Sequence, residues 1–311
     1  MSLKTRIIER VQADVAARRS RVPLSELKEM IESAPKCKSL LDALRKGFSI
    51  IGEIKEKSPS AGPMNLRNVN SAITIYNKSK IISAISVLTN PFFGGSIEDV
   101  RKYRKLTDKP IMRKEFIIDE YQVYEARGYG ADAILLMASL HIDNPAQFSK
   151  LYELSKSIGL QPLVEIGMGR GKHSLGKQIA MIPTNVEMLG INSRIPENLY
   201  LAFLSKFCSQ FFGSDLLIDK NRHKEIMKII RENPKQIPKR AIIIAESGIH
   251  NPQEIKPLMD SGYTAALIGA AFLKGKKSIE DTVKEFSDYI YRLEHSPAYS
   301  VHPVFRKQFS H

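Results

Sequence analysis

Cysteine is scarce in this chain of 311 residues, which contains only Cys37 and Cys208. The two are far apart and form no CxxC pair, so neither a disulfide framework nor a thiolate metal site is expected. The seven histidines show no HxH or HExxH spacing, which leaves a histidine metal site without support. We therefore expect a protein that binds no metal.

Long apolar runs are also missing, since no stretch approaches the ~20 residues that span a bilayer. The N-terminal residues are charged and amphipathic rather than signal-like, which predicts no secretory peptide. The apolar share of 43% and the charged share of 26% are ordinary for a soluble protein of one large domain or two modest ones. We expect a cytoplasmic protein without a membrane partner.

Basic residues outnumber acidic ones, which gives a formal net charge of +14. Such a surplus admits nucleic acid, an acidic surface or an anionic small molecule as a partner. The basic residues are spread along the chain, however, and no basic motif interleaved with aromatic residues occurs. We interpret the surplus as a solvated surface that favours anionic ligands, and we expect no nucleic-acid partner.

Short apolar runs rich in β-branched residues recur along the chain, separated by stretches with helical spacing. Many of the helical stretches follow a capping residue such as Ser96 or Asp119. The runs cover residues 48–55, 84–89, 110–116, 133–137, 161–166, 186–192, 241–247 and 265–269. Each run predicts a buried strand.

Strands of this kind alternating with helices predict a closed (β/α)8 TIM barrel, and an open doubly wound sheet is the alternative. No GxGxxG motif follows the first strand. Polar residues occur at the C-terminal ends of most predicted strands and are not gathered at a single topological switch point. Both observations favour the barrel. We expect a helical extension packed on the barrel at residues 1–47. The barrel itself is predicted at 48–294, with an enlarged segment at about 195–240, and a C-terminal tail at 295–311.

Polar side chains are concentrated where these predicted strands end. Glu53 and Lys55 are two residues apart, so both lie on one side of the first strand. Later strands end on or beside Lys114, Glu165, Asn192, Arg194 and Glu246. Any one of these is commonly a surface residue, but the C-terminal ends of parallel strands meet at one mouth. A lysine and a glutamate in such a mouth can hold different protonation states and act as acid and base.

Two glycine turns follow the last two predicted strands, at Ser247-Gly248 and at Gly269-Ala270. Many barrels hold phosphate at this position through backbone N–H groups. We therefore expect a substrate phosphate at Gly248, Gly269 and Ala270. The glycine-rich residues 167–172 are one residue short of the GxxxxGK[ST] spacing, so we interpret them as an irregular basic loop and not as a nucleotide site.

Motifs across roughly residues 48–272 resemble, in order, those of the indole-3-glycerol-phosphate synthase family, (β/α)8 enzymes of tryptophan biosynthesis. The matching segments are Glu53-Ile-Lys55 with Ser58-Pro59-Ser60, Ser86-Val-Leu-Thr89 with Phe93-Gly-Gly-Ser96, Arg113-Lys114-Glu115-Phe116, Tyr121-Gln122, Gly130-Ala-Asp-Ala133, Leu135-Leu136, Pro162-Leu-Val-Glu165, Gly190-Ile-Asn192-Ser-Arg194 and Ala245-Glu246-Ser247-Gly248-Ile249.

The resemblance implies a lyase that closes the ring of 1-(2-carboxyphenylamino)-1-deoxyribulose 5-phosphate to give indole-3-glycerol phosphate, with loss of carbon dioxide and water. It implies Lys114 as the general acid of ring closure and Glu165 as a group that assists the later dehydration. Lys55 would contact substrate anions, including the phosphate, and could supply a second proton. The resemblance implies no metal, nucleotide or flavin cofactor, and we expect a monomer or a weak homo-oligomer.

The same resemblance implies three further groups of substrate contacts. Glu53, Asn192 and Arg194 would orient the substrate, Ser58, Glu246 and Ser247 would line the site, and Phe93, Phe116 and Leu136 would flank the anthranilate ring.

Two positions depart from the family pattern, as do the stretch after Glu165, the long segment between Arg194 and Ala241, and the C-terminal tail. Glu115 stands where the family commonly has aspartate, and Ala270 where many members have a polar residue. The alternative is therefore a divergent paralogue, either another phosphosugar barrel enzyme or a catalytically idle binding module. Retention of Lys114 and Glu165 favours the lyase.

Overall fold

The computed structural model describes residues 3–58, 62–167, 171–193, 222–232 and 237–296. The strands of its main sheet are β1 (Ser49–Ile54), β2 (Ile82–Leu88), β3 (Ile111–Lys114), β4 (Ala133–Met137), β5 (Gln161–Ile166), β6 (Met188–Asn192), β7 (Ile242–Glu246) and β8 (Ala265–Ile268). Every neighbouring pair is parallel, and β1 pairs with both β2 and β8, which closes the sheet into a barrel. The predicted (β/α)8 barrel is confirmed.

Helices precede the barrel and follow its strands. They are α1 (Leu3–Arg21), α2 (Leu24–Ser33), α3 (Leu40–Leu44), α4 (Leu66–Lys78), α5 (Ile97–Arg104), α6 (Glu120–Gly128), α7 (Pro145–Ser157), α8 (Gly171–Ala180), α9 (Arg222–Glu232), α10 (Ile255–Asp260), α11 (Ala270–Leu273) and α12 (Ile279–Glu294). Side-chain caps start several of them, including the capping boxes of Ser96 on α5 and Asp119 on α6.

The strands alternate between two apolar clusters, as β4 illustrates. Ala133, Leu135 and Met137 pack inside the barrel, whereas Ile134 and Leu136 pack in the outer cluster between strands and helices. This alternation follows from the two-residue period of a strand. It also decides which strand-end side chains can reach the mouth of the barrel.

Helix α3 closes the N-terminal end of the barrel. Its residues Leu40, Leu41 and Leu44 are buried members of the interior cluster. The Leu41 N–H donates to the side chain of Gln161, the first residue of β5, at 3.0 Å. The helix therefore acts as a plug for an interior that the strands alone leave open.

A buried ionic network joins α1 to the barrel through α6. Arg18 of α1 lies 2.7 Å from one Glu125 oxygen, and Arg113 of β3 lies 2.8 Å from the other. Arg113 also donates to the backbone oxygen of Gln122 at 2.8 Å. The Arg113 side chain is thus directed at the helix layer, although it precedes Lys114 at the same strand end.

The predicted division of the chain falls partly outside the described residues. Helices α1 to α3 occupy the segment predicted as an N-terminal extension. Of the enlarged segment at about 195–240, the structure describes 222–232 and 237–240, and of the tail it describes residues 295 and 296. None of the helices in the described ranges is long and apolar enough to cross a membrane.

We predict that Leu40→Ala lowers the free energy of unfolding by about 2–5 kcal/mol, because truncating a buried leucine removes its transfer free energy and leaves a cavity. Urea unfolding followed by circular dichroism would measure the loss. Leu106→Ala, at a site that is 52% exposed, is the matched control. Equal losses for the two variants would contradict the plug.

Candidate active site

Ionisable side chains from several strands converge at the C-terminal end of the barrel. Glu53 of β1, Glu165 of β5 and Glu246 of β7 occupy interior-facing positions and are 2%, 1% and 1% exposed. Lys114 of β3 faces the same space, with 19% of its side chain exposed. Because buried carboxylates are costly unless they are neutralised, the cluster depends on its cations and protons.

Lys114 is the central cation of the cluster. Its Nζ lies 3.2 Å from Glu246 Oε2 and 3.9 Å from Glu165 Oε2. Burial lowers the pKa of Lys114, but the negative charges of Glu246, of Glu165 in its ionised form and of Glu53 raise it, and the net pKa lies above its usual value. Lys114 is therefore an ammonium group that can donate a proton into the mouth.

Glu165 is a much weaker acid here than an ordinary glutamic acid. Burial and the adjacent Glu246 raise the pKa of Glu165 to about 8, although Lys114 lowers it in part. The Asn192 amide donates to Glu165 Oε2 at 3.2 Å. Glu165 is thus largely protonated near neutral pH, so the mouth contains a carboxylic acid beside an ammonium ion.

At the mouth of the barrel, two carboxyl oxygens and one hydroxyl of the described residues are buried without a hydrogen-bond partner. They are Glu165 Oε1, Glu246 Oε1 and Ser86 Oγ. A proton on Glu165 lets it donate to Glu246, and this contact also raises the pKa of Glu165. The remaining oxygens offer hydrogen-bonding capacity to a molecule that enters the mouth.

Glu53 and Lys55 form an ion pair at the end of β1, as their spacing predicts. A Cβ atom on Gly269 would lie 2.6 Å from Glu53 Oε1, and one on Gly190 would lie 2.0 Å from Glu246 Oε1. A Cβ at either position would force the carboxylate to shift from its place. The two glycines are therefore part of the site although they contribute no side chain.

An aromatic pair lies beside Lys114. The ring centroids of Phe93 and Phe116 are 6.5 Å apart. Glu115 holds both rings in place, since it accepts from Asn90, which caps the turn that carries Phe93, at 2.6 Å and from the Phe116 N–H at 2.9 Å. Leu136, which was expected to flank the same ring of the substrate, packs in the outer cluster, because it has the opposite strand phase to Met137.

The two predicted phosphate turns follow β7 and β8. Ser247 and Gly248 both have left-handed backbone angles, with φ of 69° and 78°. Gly269 is the N-cap of the short helix α11, which begins at Ala270. Backbone N–H groups of both turns are thus located at the same end of the barrel as Lys114.

Three predicted features lie outside the described residues. They are Arg194, the side chain of Ser58 and residues 168–170 of the basic glycine-rich loop. Within the described ranges, no group of three or more histidine, cysteine or acidic residues has an arrangement that could hold a metal ion.

Comparison with known proteins identifies the family. A sequence model described as indole-3-glycerol phosphate synthase matches residues 4–203. The chain belongs to the indole-3-glycerol phosphate synthase family. Members of this family are carboxy-lyases of tryptophan biosynthesis.

Individual relatives agree with the family match. The indole-3-glycerol phosphate synthase of Streptomyces griseus is 35% identical over 279 residues, covering 89% of this chain and 91% of the relative. That of Lachnospira eligens is 36% identical over 267 residues, covering 85% and 88%.

Solved structures support the fold alone, because their sequence identity is low. Orotidine 5'-phosphate decarboxylase from Pyrococcus horikoshii OT3 aligns with a TM-score of 0.51 at 14% identity, over 78% of this chain and 99% of that one. KGPDC from Streptococcus mutans aligns with a TM-score of 0.50 at 14% identity, over 79% and 98%.

The structure adds residues to the site that sequence reasoning overlooked. Ser86 faces the interior beside Glu53, with which it pairs in the β1–β2 register. The strand alternation contained this signal, because Ser86 is a polar residue at an interior position of an apolar run. The family pattern assigns no role to Glu115, whereas the structure makes it the anchor of the aromatic pair.

We predict that the stability of Glu165→Gln depends less on pH than that of the wild type. With a folded pKa of about 8 and an ordinary value of 4.5, the unfolded chain releases the Glu165 proton first, so rising pH destabilises the wild type across this window. The free energy of unfolding of Glu165→Gln relative to that of the wild type should rise from pH 5 to pH 8, by at most ~1.4 kcal/mol per pH unit.

Urea unfolding at pH 5, 6.5 and 8 would test this prediction. The exposed Glu280→Gln controls for the loss of one carboxyl group. A constant difference between Glu165→Gln and the wild type at all three pH values would contradict a raised pKa.

Proposed function

We propose that this member of the indole-3-glycerol phosphate synthase family converts 1-(2-carboxyphenylamino)-1-deoxyribulose 5-phosphate to indole-3-glycerol phosphate. The observation that carries the proposal is the contact of the Lys114 ammonium with two buried carboxyl groups, at 3.2 Å from Glu246 and 3.9 Å from Glu165. It supplies two proton donors of different kind in one mouth. The reaction needs two such donors, because one oxygen must be protonated in ring closure and again when it leaves as water.

The mouth offers a matching surface for each part of the substrate. The anthranilate ring would lie against Phe93 and Phe116, and its carboxylate would pair with Arg194. The phosphate would lie at the other side, at the turns of Gly248 and Gly269. The ketone carbon of the sugar chain would then be located between these ends, beside Lys114.

Ring closure joins the ring carbon that carries the carboxylate to the ketone carbon. As the new carbon–carbon bond forms, the ketone oxygen gains electrons and takes a proton from the Lys114 ammonium. Loss of carbon dioxide then returns an electron pair to the ring. Carboxylates beside Lys114 stabilise its charged form until that transfer takes place, since they raise its pKa.

Dehydration removes the hydroxyl group that ring closure created. Protonated Glu165 would donate to this hydroxyl, which leaves as water, while a proton lost from the adjacent methylene completes the indole. Asn192 fixes the Glu165 carboxyl by donating to its Oε2 at 3.2 Å. Glu246 contacts both proton donors. Its negative charge would keep Lys114 as an ammonium ion and Glu165 as a neutral carboxylic acid.

The phosphate would bind backbone N–H groups of Gly248, Gly269 and Ala270, with Lys55 as the nearby cation. The two left-handed residues after β7 and the start of α11 after β8 support this position. Ser247 would line the same side of the mouth. Glu53 would orient the substrate while it is paired with Lys55.

The decisive experiment is an assay of indole-3-glycerol phosphate formation by the purified protein from the synthetic substrate. The product, followed by its absorbance, and carbon dioxide should form in equal molar amounts. Absence of both under conditions in which the protein is folded would reject the proposed function in favour of an idle paralogue.

We predict that Lys114→Met lowers kcat at least ~100-fold, the scale of removing a general acid, while the melting temperature stays close to that of the wild type. Glu165→Gln should also lower kcat, with less effect on KM, because it removes the proton but keeps the shape and the Asn192 contact. Steady-state kinetics would measure both variants beside the control Lys105→Met. A near-normal kcat for Lys114→Met would remove Lys114 from this role.

We predict that Arg194→Lys raises KM for the full substrate, because a lysine ammonium cannot hold a carboxylate through two parallel hydrogen bonds. Affinity for an analogue without the carboxylate should change much less. Competition assays with the two ligands would separate these effects. Equal losses for both would assign Arg194 to the phosphate or to the scaffold.

A further inference from the structure

The turn after β7 has an unusual backbone. Ser247 is the non-glycine residue with a positive φ, 69°, among the residues that the structure describes. Side chains other than glycine rarely adopt this region, and such residues persist where the surroundings hold them and tend to cluster at functional sites. A contact that stabilises the Ser247 backbone is therefore expected close by.

His223 provides that contact from α9. Its Nε2 lies 3.3 Å from the backbone oxygen of Ser247, and its side chain is buried. A carbonyl oxygen only accepts, so Nε2 carries the proton and donates. The histidine thus holds Ser247 from the helix side of the strand.

Peptide planarity carries this contact to the next residue. The carbonyl of Ser247 and the N–H of Gly248 belong to one planar trans peptide unit, in which they point in opposite directions. Holding the oxygen toward His223 therefore directs the Gly248 N–H to the opposite side of the chain. That N–H is one of the groups assigned above to the substrate phosphate.

Tyr263 fixes the orientation of the histidine. Its hydroxyl lies 3.0 Å from His223 Nδ1 and 3.1 Å from the His223 backbone oxygen, and the two rings meet edge to face at 5.3 Å. The hydroxyl has one proton, which serves either of these two atoms. Because Nε2 carries the ring proton, Nδ1 is an acceptor, and donation from the Tyr263 hydroxyl to Nδ1 is the arrangement that supports the ring.

We propose that His223, supported by Tyr263, is a positioning residue that directs the Gly248 N–H at the substrate phosphate and thereby sets the phosphate affinity of the site. The proposal rests on the phosphate position in the proposed function. It adds two residues from outside the mouth, one on α9 and one just before β8, to the determinants of substrate binding.

The test measures direct binding of inorganic phosphate by calorimetry, together with KM and kcat, for the full-length wild type and its variants. His223→Leu should weaken phosphate binding and raise KM about 5-fold, the scale of one neutral hydrogen bond, with kcat within about 2-fold of wild type. His223→Gln should stay within about 2-fold of the wild type in phosphate affinity and in KM, because its amide can still donate to the Ser247 backbone oxygen.

The chain contains a matched control in His141. It is also a buried histidine whose Nε2 lies 3.0 Å from a backbone oxygen, that of Ile117 after β3. His141→Leu should leave phosphate affinity unchanged. Equal weakening by His141→Leu and His223→Leu would show a general loss of packing and overturn the proposal, as would a fall in kcat with unchanged phosphate affinity.

Tyr263→Phe keeps the aromatic ring and removes the hydroxyl, so it decides the matter if His223→Leu does not fold. It should weaken phosphate binding by about 2-fold or more, at the low end of one hydrogen bond, and unchanged binding would overturn the proposal. Phosphate binding is measured without turnover. A wild type that forms no product therefore rejects the proposed function alone, and an active wild type with unaffected variants rejects the positioning role alone.

Discussion

The contact of one ammonium group with two buried carboxyl groups is the interaction on which the candidate site depends. Lys114 lies between Glu246 and Glu165 in a layer where both carboxyl groups are almost completely removed from water. One cation beside two buried carboxyl groups favours a proton on one of them. Burial and the neighbouring Glu246 raise the pKa of Glu165 to about 8, so Glu165 holds this proton near neutral pH. The need to neutralise buried charge thus accounts for both proton donors, the Lys114 ammonium and the protonated Glu165.

The buried carboxyl groups need space as well as neutralising charge, and glycine residues of the barrel provide that space. Gly190 and Gly269 lie where any Cβ would collide with the carboxyl groups of Glu246 and Glu53. At the opposite end, α3 closes the interior with leucines, so the strands pack around an apolar core beneath the ionic layer. The polar layer therefore lies at the mouth, above an apolar barrel interior.

A second polar network supports the aromatic side of the mouth. Glu115 joins the turn after β2 to the turn after β3 by accepting from Asn90 and from Phe116. Thr89 donates to the same carboxylate at 3.0 Å. Since Lys114 immediately precedes Glu115, this network also constrains the backbone from which the central ammonium projects. The Glu115 side chain acts on the site through its neighbours and not through contact with the mouth.

Much of the fold and of the candidate site could be predicted from local patterns. The apolar runs located all eight strands of the barrel, and polar residues at their ends indicated Lys114, Glu165 and Glu246. Strands β1, β3, β7 and β8 end before their runs do, because the last residues of those runs leave the hydrogen-bonded ladder to form the turns of the mouth. Leu136 was placed at the mouth by its position in a motif, but its strand phase directs it to the helices.

The sequence by itself determined the period of two that separates interior from exterior residues, and hence the residue types available at the mouth. Those properties depend on neighbours a few residues apart. Only the tertiary structure decided which charges meet, because Lys114 and Glu246 come from strands on different sides of the barrel. The proton on Glu165 and the contact of His223 with Ser247 have the same origin. Both result from burial and from distances between segments remote in sequence, which closure of the barrel alone establishes.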